Sequence, residues 1–169
     1  MRQTEVKVNH VTHKTGIKLG NPKAKKVLVE FINVRCPFCR QWWDEKSAFL
    51  NELSESGDLL HIIKPFNKEK PGLDMGNIMH QYIPNDKSAI QVIDAIYETQ
   101  DIWGDLDSFE MVEDYAENTL NLTRQNNDNM LADIVEEANK ANVVFVPTVI
   151  VGDASFDQKI SMVELKDML

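Results

Sequence analysis

The sequence predicts an α/β protein: a strand–helix–strand unit with a parallel pair, an all-helical insertion, and then two more strands and a closing helix. Three observations carry this reading. The run KVLVEFIN (26–33) is almost entirely strand-formers, and it is followed by a long helical pattern and a second apolar run, DLLHIIKPF (58–66). From 67 to 141 apolar residues recur at helical spacing and nothing alternates. Strand character returns in NVVFVPTVIVGDASF (142–156). The expected organisation is a core domain from 1–66 and 142–169, with the helical insertion at 67–141.

Each element has a local reason. Val6 and Val8 alternate with polar residues, which predicts a short first strand. GNPKAKK (20–26) is a turn. The unbroken apolar run of 26–33 suits a central strand covered on both faces, with Glu30 as its anomaly. PFCRQWWDEKSAFLNELSES then carries Trp42, Trp43, Phe49, Leu50 and Leu53 at helix-like spacing. Pro37 fits the first helical turn, where its missing N–H costs nothing, and Gly57 fits the stop. In the insertion, Ala89, Ile90, Ile93, Ile96 and Tyr97 share a face, which predicts helices with a small core of their own. Asp107 with Glu110 predicts a capping box before Met111, Val112 and Tyr115. Leu131, Ile134, Val135 and Ala138 form another helical face, with Asn142 placed to end it in a left-handed conformation. Gly152-Asp153 marks a turn between two antiparallel strands. Ser161 with Glu164 caps a last helix whose stripe is Met162, Leu165 and Leu169.

Composition narrows the function. The chain has 169 residues, 43% hydrophobic and 27% charged, enough for one folded domain with an insertion. The net charge is −9, divided unevenly: residues 1–40 carry nine Lys/Arg and two acids, residues 41–169 nine Lys/Arg and 25 acids. An acidic body argues against nucleic acid as a partner, and most of these charges are read as solvated surface. No apolar run approaches the length of a membrane span. The stretch MRQTEVKVNHVTHKTG is polar and lacks the apolar segment of a signal peptide. A cytoplasmic location is expected; the alternative is a mature extracytoplasmic protein whose leader was removed.

Both cysteines lie in RCPFCR (35–40). A bond between residues so close closes a tiny loop and adds little stability, so the pair serves chemistry or metal rather than scaffolding. A strand that delivers Cys36 to a helix start places its sulfur at unpaired N–H groups and a positive dipole end, which lowers a thiol's pKa. Arg35 and Arg40 act in the same direction if they point inward. Cys39, one turn on, reaches back to Cys36 and serves as the resolving thiol. Zinc is the rival, but a structural site needs four ligands, and His10, His13, His61 and His80 show no paired spacing with the cysteines. No metal and no cofactor is expected. Trp42 and Trp43 read as core and helix surface rather than substrate contacts.

VEFINVRCPFC, followed more than a hundred residues later by VPTVIVGD, resembles the DsbA-like branch of the thioredoxin fold from about residue 20 to the end. The resemblance includes the helical insertion, and it implies a thioredoxin-like domain at 1–66 and 142–169. It implies that Cys36 is the nucleophile, with Pro37 and Phe38 between it and its buried partner Cys39. It implies that Pro147 is the cis-proline facing them, with Val146 and Thr148 offering backbone to a substrate peptide; on its own, Pro147 reads as an ordinary strand-edge proline. Glu30, six residues before Cys36, matches the buried acid beneath the active site. An acid in an apolar strand is disfavoured in its charged form, which suits it to relay a proton to or from Cys39; Lys64 is a candidate charge partner. Phe38 departs from the best-known oxidase pattern, C-P-H-C. Phenylalanine cannot stabilise a thiolate as histidine does, so a less oxidising pair is predicted.

The expected function is therefore thiol–disulfide exchange with protein or peptide thiols and disulfides through a mixed disulfide, with an unidentified redox partner recycling the pair. Two rivals are a chaperone-like binding module whose redox pair is secondary, and an isomerase like the FrnE-like relatives, acting on a small molecule in a pocket beside the insertion.

Overall fold

The computed structural model describes residues 5–169. Five strands form one sheet: β1 (Ile17–Gly20), β2 (Lys26–Ile32), β3 (Leu59–Pro65), β4 (Thr148–Val151) and β5 (Ala154–Phe156), in the spatial order β1-β3-β2-β4-β5. β2 and β3 run parallel, and the other three pairings are antiparallel. Seven α-helices accompany the sheet: α1 (Pro37–Ser56), α2 (Asp74–His80), α3 (Ala89–Glu98), α4 (Gln100–Trp103), α5 (Phe109–Asp114), α6 (Asp128–Lys140) and α7 (Met162–Met168). α1 is the crossover between β2 and β3, and α2–α6 separate β3 from β4.

The period-2 alternation of the strands divides the core. On one face Leu28 of β2, Leu59 of β3, and Val149 and Val151 of β4 pack against Trp42 and Leu50 of α1 and Leu165 of α7. On the other face Val29, Phe31, Leu60, Ile62 and Ile150 pack against Ile134 and Ala138 of α6. The central strands are thus covered on both sides, as a continuous apolar run requires. α1 begins with Pro37 at its first position and ends at Gly57, whose φ of +85° lets its N–H reach the Leu53 and Ser54 carbonyls. A side chain there would be strained. Asn142 adopts φ +58° after α6, and the Ser161–Glu164 capping box opens α7.

Four expectations are corrected. Val6 and Val8 do not form a strand: Val8–His10 is a 3₁₀ turn, and both valines pack on the α6 side of the sheet. The strand at the β3 edge of the sheet is β1, four residues that alternate buried and exposed and end in glycine. The start of α5 is capped by Ser108, whose hydroxyl accepts from Met111 N–H at 3.2 Å, rather than by Asp107. The insertion has no separate core either. Met79, Tyr82, Ile93, Ile96, Tyr97, Trp103 and Val112 form one cluster with Ile17, Ile32, Ile63, Trp43 and both cysteines. Finally, Lys64 is not the partner of Glu30. Glu30 lies opposite Ile63 and Phe31 opposite Lys64, so Lys64 points to the other face. There its ammonium binds the Glu137 carboxylate at 2.6 Å, Thr15 Oγ1 and the Thr12 carbonyl.

Candidate active site

Cys36 is the N-cap residue of α1, in extended backbone conformation, and Cys39 is one turn further on. Both are free thiols, with Cys36 6% exposed and Cys39 0%. The Cys39 thiol donates to the Cys36 sulfur, and this is the largest influence on Cys36, whose pKa is lowered from 9.0 to about 6. Burial opposes the shift, while the backbone N–H groups of Cys39 and Phe38 and the charge of Arg35 support it. Arg35 is the smallest of these influences. Arg40 is held instead by Asp44 and Asp101, at 3.7 and 3.3 Å. Cys39 moves the opposite way: burial, first, and then the adjacent Cys36 push its pKa well above the ordinary value, although Asn33 N–H donates to its sulfur at 3.5 Å. One sulfur is thus prepared to ionise and the other to stay protonated.

The insertion holds the loop that carries Cys36. Asn33 is fully buried; its amide donates to the Phe66 and Leu73 carbonyls and its oxygen accepts from Arg35 N–H at 2.9 Å. Gly76 of α2 packs so tightly on Asn33 and the Arg35 backbone that a Cβ would collide with both. His80, its pKa lowered to about 3 by burial, is a neutral imidazole. Its Nε2 accepts from Val34 N–H at 3.2 Å, while Nδ1 meets Asn67 Oδ1 at 2.7 Å. From α4, Gln100 donates to the Val34 and Cys36 carbonyls at 2.7 and 3.3 Å. The sequence reading missed Asn33, His80 and Gln100. A polar residue ending an apolar strand is a usable signal for Asn33; the other two have none, because their partners are 46 and 66 residues away.

Glu30 lies beneath the pair, 0% exposed. Its Oε2 accepts from Trp42 Nε1–H at 3.0 Å and lies 2.7 Å from His61 Nε2, while Oε1 has no hydrogen-bond partner. Trp42 and Trp43 are both core residues, 1% and 2% exposed. His61, central in the apolar β3, was weighed by sequence only as a zinc ligand. Among the described residues no group of three or more His, Cys, Asp or Glu side chains could hold a metal.

The loop before β4 closes the site. The Val146–Pro147 bond is cis, and the Val146 carbonyl lies 3.6 Å from Cys36 Sγ, where it accepts from the protonated thiol. Thr148 begins β4 opposite Phe31; its hydroxyl donates to the Phe145 carbonyl at 2.5 Å and braces the loop. Beside this loop is a groove of about 280 Å³ lined by Phe38, Phe145, Val146, Pro147, Thr148 and Phe156. Phe38 is 57% and Phe145 59% exposed. All eight residues singled out for the site are thus placed: the cysteines with Pro37 and Phe38 at the start of α1, Glu30 below, and Val146, Pro147 and Thr148 alongside.

Comparison with known proteins agrees with this geometry. A family model described as Thioredoxin matches residues 12–169. A conserved protein of unknown function from Enterococcus faecalis V583 is 38% identical over 99% of this chain and 97% of its own, with a TM-score of 0.95. The catalytic domain of Proteus mirabilis ScsC shares 18% identity over 96% of this chain and 92% of its own, TM-score 0.63. Wolbachia pipientis alpha-DsbA1 shares 19% over 92% and 82%, TM-score 0.62. No curated protein matches at the sequence level. With a thioredoxin-model match over nearly its whole length, a helical insertion between β3 and β4, and a CxxC pair at the start of α1, the chain belongs to the thioredoxin family and has a DsbA-like fold.

Proposed function

We propose that the chain exchanges disulfides with protein or peptide substrates, with Cys36 as the nucleophile and Cys39 as the resolving thiol. One observation carries this reading: within one helical turn, Cys36 is lowered to about 6 and Cys39 is raised well above its ordinary value. At pH 7 the first sulfur is largely thiolate, the form that attacks. The Cys36 thiolate attacks a substrate disulfide to give a mixed disulfide, and Cys39 then attacks Cys36 and releases the substrate thiol. In the other direction a substrate thiolate attacks Cys36 of the disulfide, and Cys39 leaves. The groove supports a peptide substrate, since Phe38 and Phe145 present apolar surface next to the sulfur. None of its lining residues belongs to the insertion, and the cleft that the core and the insertion do share, lined by Leu19, Ser54, Ser88 and Ile90, includes neither cysteine.

Direction follows from the pair's potential against its compartment. The cytoplasmic location expected from the N-terminal stretch, and the partner that recycles the pair, belong to the proposal. The test is trapping. Cys39→Ser should accumulate a mixed disulfide between Cys36 and a peptide disulfide, and Cys36→Ser should abolish turnover in insulin reduction. A Cys36→Ser protein that still turned over would end the reading.

A further inference from the structure

A groove of about 300 Å³ runs along α5, lined by Leu106, Met111 and Tyr115 and by the carboxylates of Glu110 and Asp114. Leu106 and Tyr115 pack on the core cluster beneath, while Met111 is exposed. Seven large apolar side chains are exposed among the described residues. Phe38, Val144 and Phe145 flank the active site, Ile102, Phe109 and Met111 lie on α4 and α5, and Val163 stands alone on α7. The charge around the groove is of one sign. From Ser88 to Thr123 the chain carries nine Asp or Glu and no Lys, Arg or His. Much of this run is matched inside the protein. Trp43 donates to Asp94 and Tyr82 to Glu117, while Arg40, Arg35 and Arg124 hold Asp101, Asp105 and Glu113. Asp107, Glu110 and Asp114 are exposed, and among the described residues none of them is in an ion pair. Glu110 and Asp114 are four apart on one helix face and repel each other. The groove also adjoins the active site. Gly104 packs so closely on the Arg35 guanidinium that a Cβ would collide with it, and Asp105 pairs with Arg35 at 3.5 Å. Leu106, the next residue, lines the groove, and Arg35 immediately precedes Cys36.

We propose that the α4–α5 face docks the substrate protein, and that the segment it takes is basic and apolar: lysine or arginine beside Asp107, Glu110 and Asp114, and an apolar side chain against Met111 in the groove. The inference rests on the exchange reaction proposed above and deepens it by naming the class of substrate. Charge complementarity selects the occupant. An acidic segment or an anionic lipid surface is repelled by the unpaired carboxylates, and a neutral apolar segment leaves Glu110 and Asp114 facing each other. A basic apolar segment relieves that repulsion and covers exposed apolar surface at the same time. A substrate is favoured over a second copy of this chain because the groove lies beside the loop that carries the attacking sulfur. A segment bound there raises the local concentration of its own disulfide at Cys36 and leaves the exchange step itself unchanged.

Two fluorescent peptide disulfides test this, identical except for a tail rich in lysine and leucine or a tail rich in serine. Mixed-disulfide formation with the Cys39→Ser protein is followed, and the ratio of the two rates is the readout. At low salt the lysine–leucine tail should react on the order of tenfold faster, and added salt should shrink the ratio. Glu110→Lys with Asp114→Lys should abolish the preference. Asp133→Lys with Glu136→Lys, which changes the net charge equally on exposed positions of α6, should keep most of it. Glu110→Gln with Asp114→Asn decides should the reversed α5 pair unfold. No preference in the parent protein overturns the proposal. Equal losses from the α5 and α6 pairs also overturn it, because net charge alone would then be at work. A dimer seen by sedimentation that the α5 reversal dissociates overturns it as well, by assigning the face to a second copy. Failure of the exchange reading looks different: neither peptide then forms a mixed disulfide, and the fluorescence anisotropy of a cysteine-free lysine–leucine peptide reads the docking by itself.

Discussion

At Cys36 a neighbouring thiol, two backbone N–H groups and one arginine together outweigh burial. The depressed pKa makes the stability of the reduced protein depend on pH. The thiolate's contribution is fully present above about pH 9 and is lost as pH falls through about 6. The unfolding midpoint of the reduced protein relative to Cys36→Ala should therefore fall on acidification through that window; a constant difference would remove the thiolate from the account. Phe38 tunes the same sulfur. Its backbone donates to Cys36 but its ring is exposed, so Phe38→His adds a cation without losing a contact. That variant should lower the Cys36 pKa further and make the pair more oxidising, by up to about 30 mV for each unit by which that pKa falls. Equilibration in glutathione buffers reads this, and an unchanged potential contradicts it. Glu30 was legible in the sequence because an acid inside VLVEFI is anomalous. His61 in LLHII carries the same signal, but as a lone histidine it invited only the metal question.

At the scale of elements, the strand-to-helix junction was legible because KVLVEFIN, Pro37 and Gly57 each act locally. What holds the junction was not legible, since Asn33, Gly76, His80 and Gln100 meet only through the fold. The expectation of a separate insertion core failed for a related reason: helical periodicity shows that a face is apolar, not which surface it meets. The junction makes a specific prediction. Asn33→Ala leaves Arg35 N–H and the Phe66 and Leu73 carbonyls without that partner. It should destabilise the protein by about 1–3 kcal/mol in denaturant unfolding and slow Cys36 alkylation as the loop loosens. Gly76→Ala should act in the same direction because its Cβ has no room. If neither variant changes stability, the insertion does not hold the loop.

For the whole molecule, the sheet separates two buried polar systems. Glu30 and His61 lie on the α1 face, and Lys64 with Glu137 on the α6 face, where Thr12 and Thr15 join them. The second system ties the segment before β1 to the core. Lys64→Ala leaves Glu137 buried without its cation and should cost about 3–5 kcal/mol. Limited proteolysis should then cut first within residues 5–16. The parallel pair, the hairpin of β4 and β5 and the α/β class were readable from apolar runs and turn residues, while the place of β1 beside β3 was not. The face to which Lys64 points was not, because it depends on the register between β2 and β3.

The central claim is that the two sulfurs are opposites, one a thiolate at neutral pH and the other a protonated reserve. The pH dependence of iodoacetamide alkylation of the reduced protein, with each site read by mass spectrometry, tests it most directly. The account predicts that Cys36 reacts with an inflection near pH 6 while Cys39 stays unmodified through neutral pH. An inflection for Cys36 near the ordinary value of 9.0, or parallel modification of both cysteines, would contradict it.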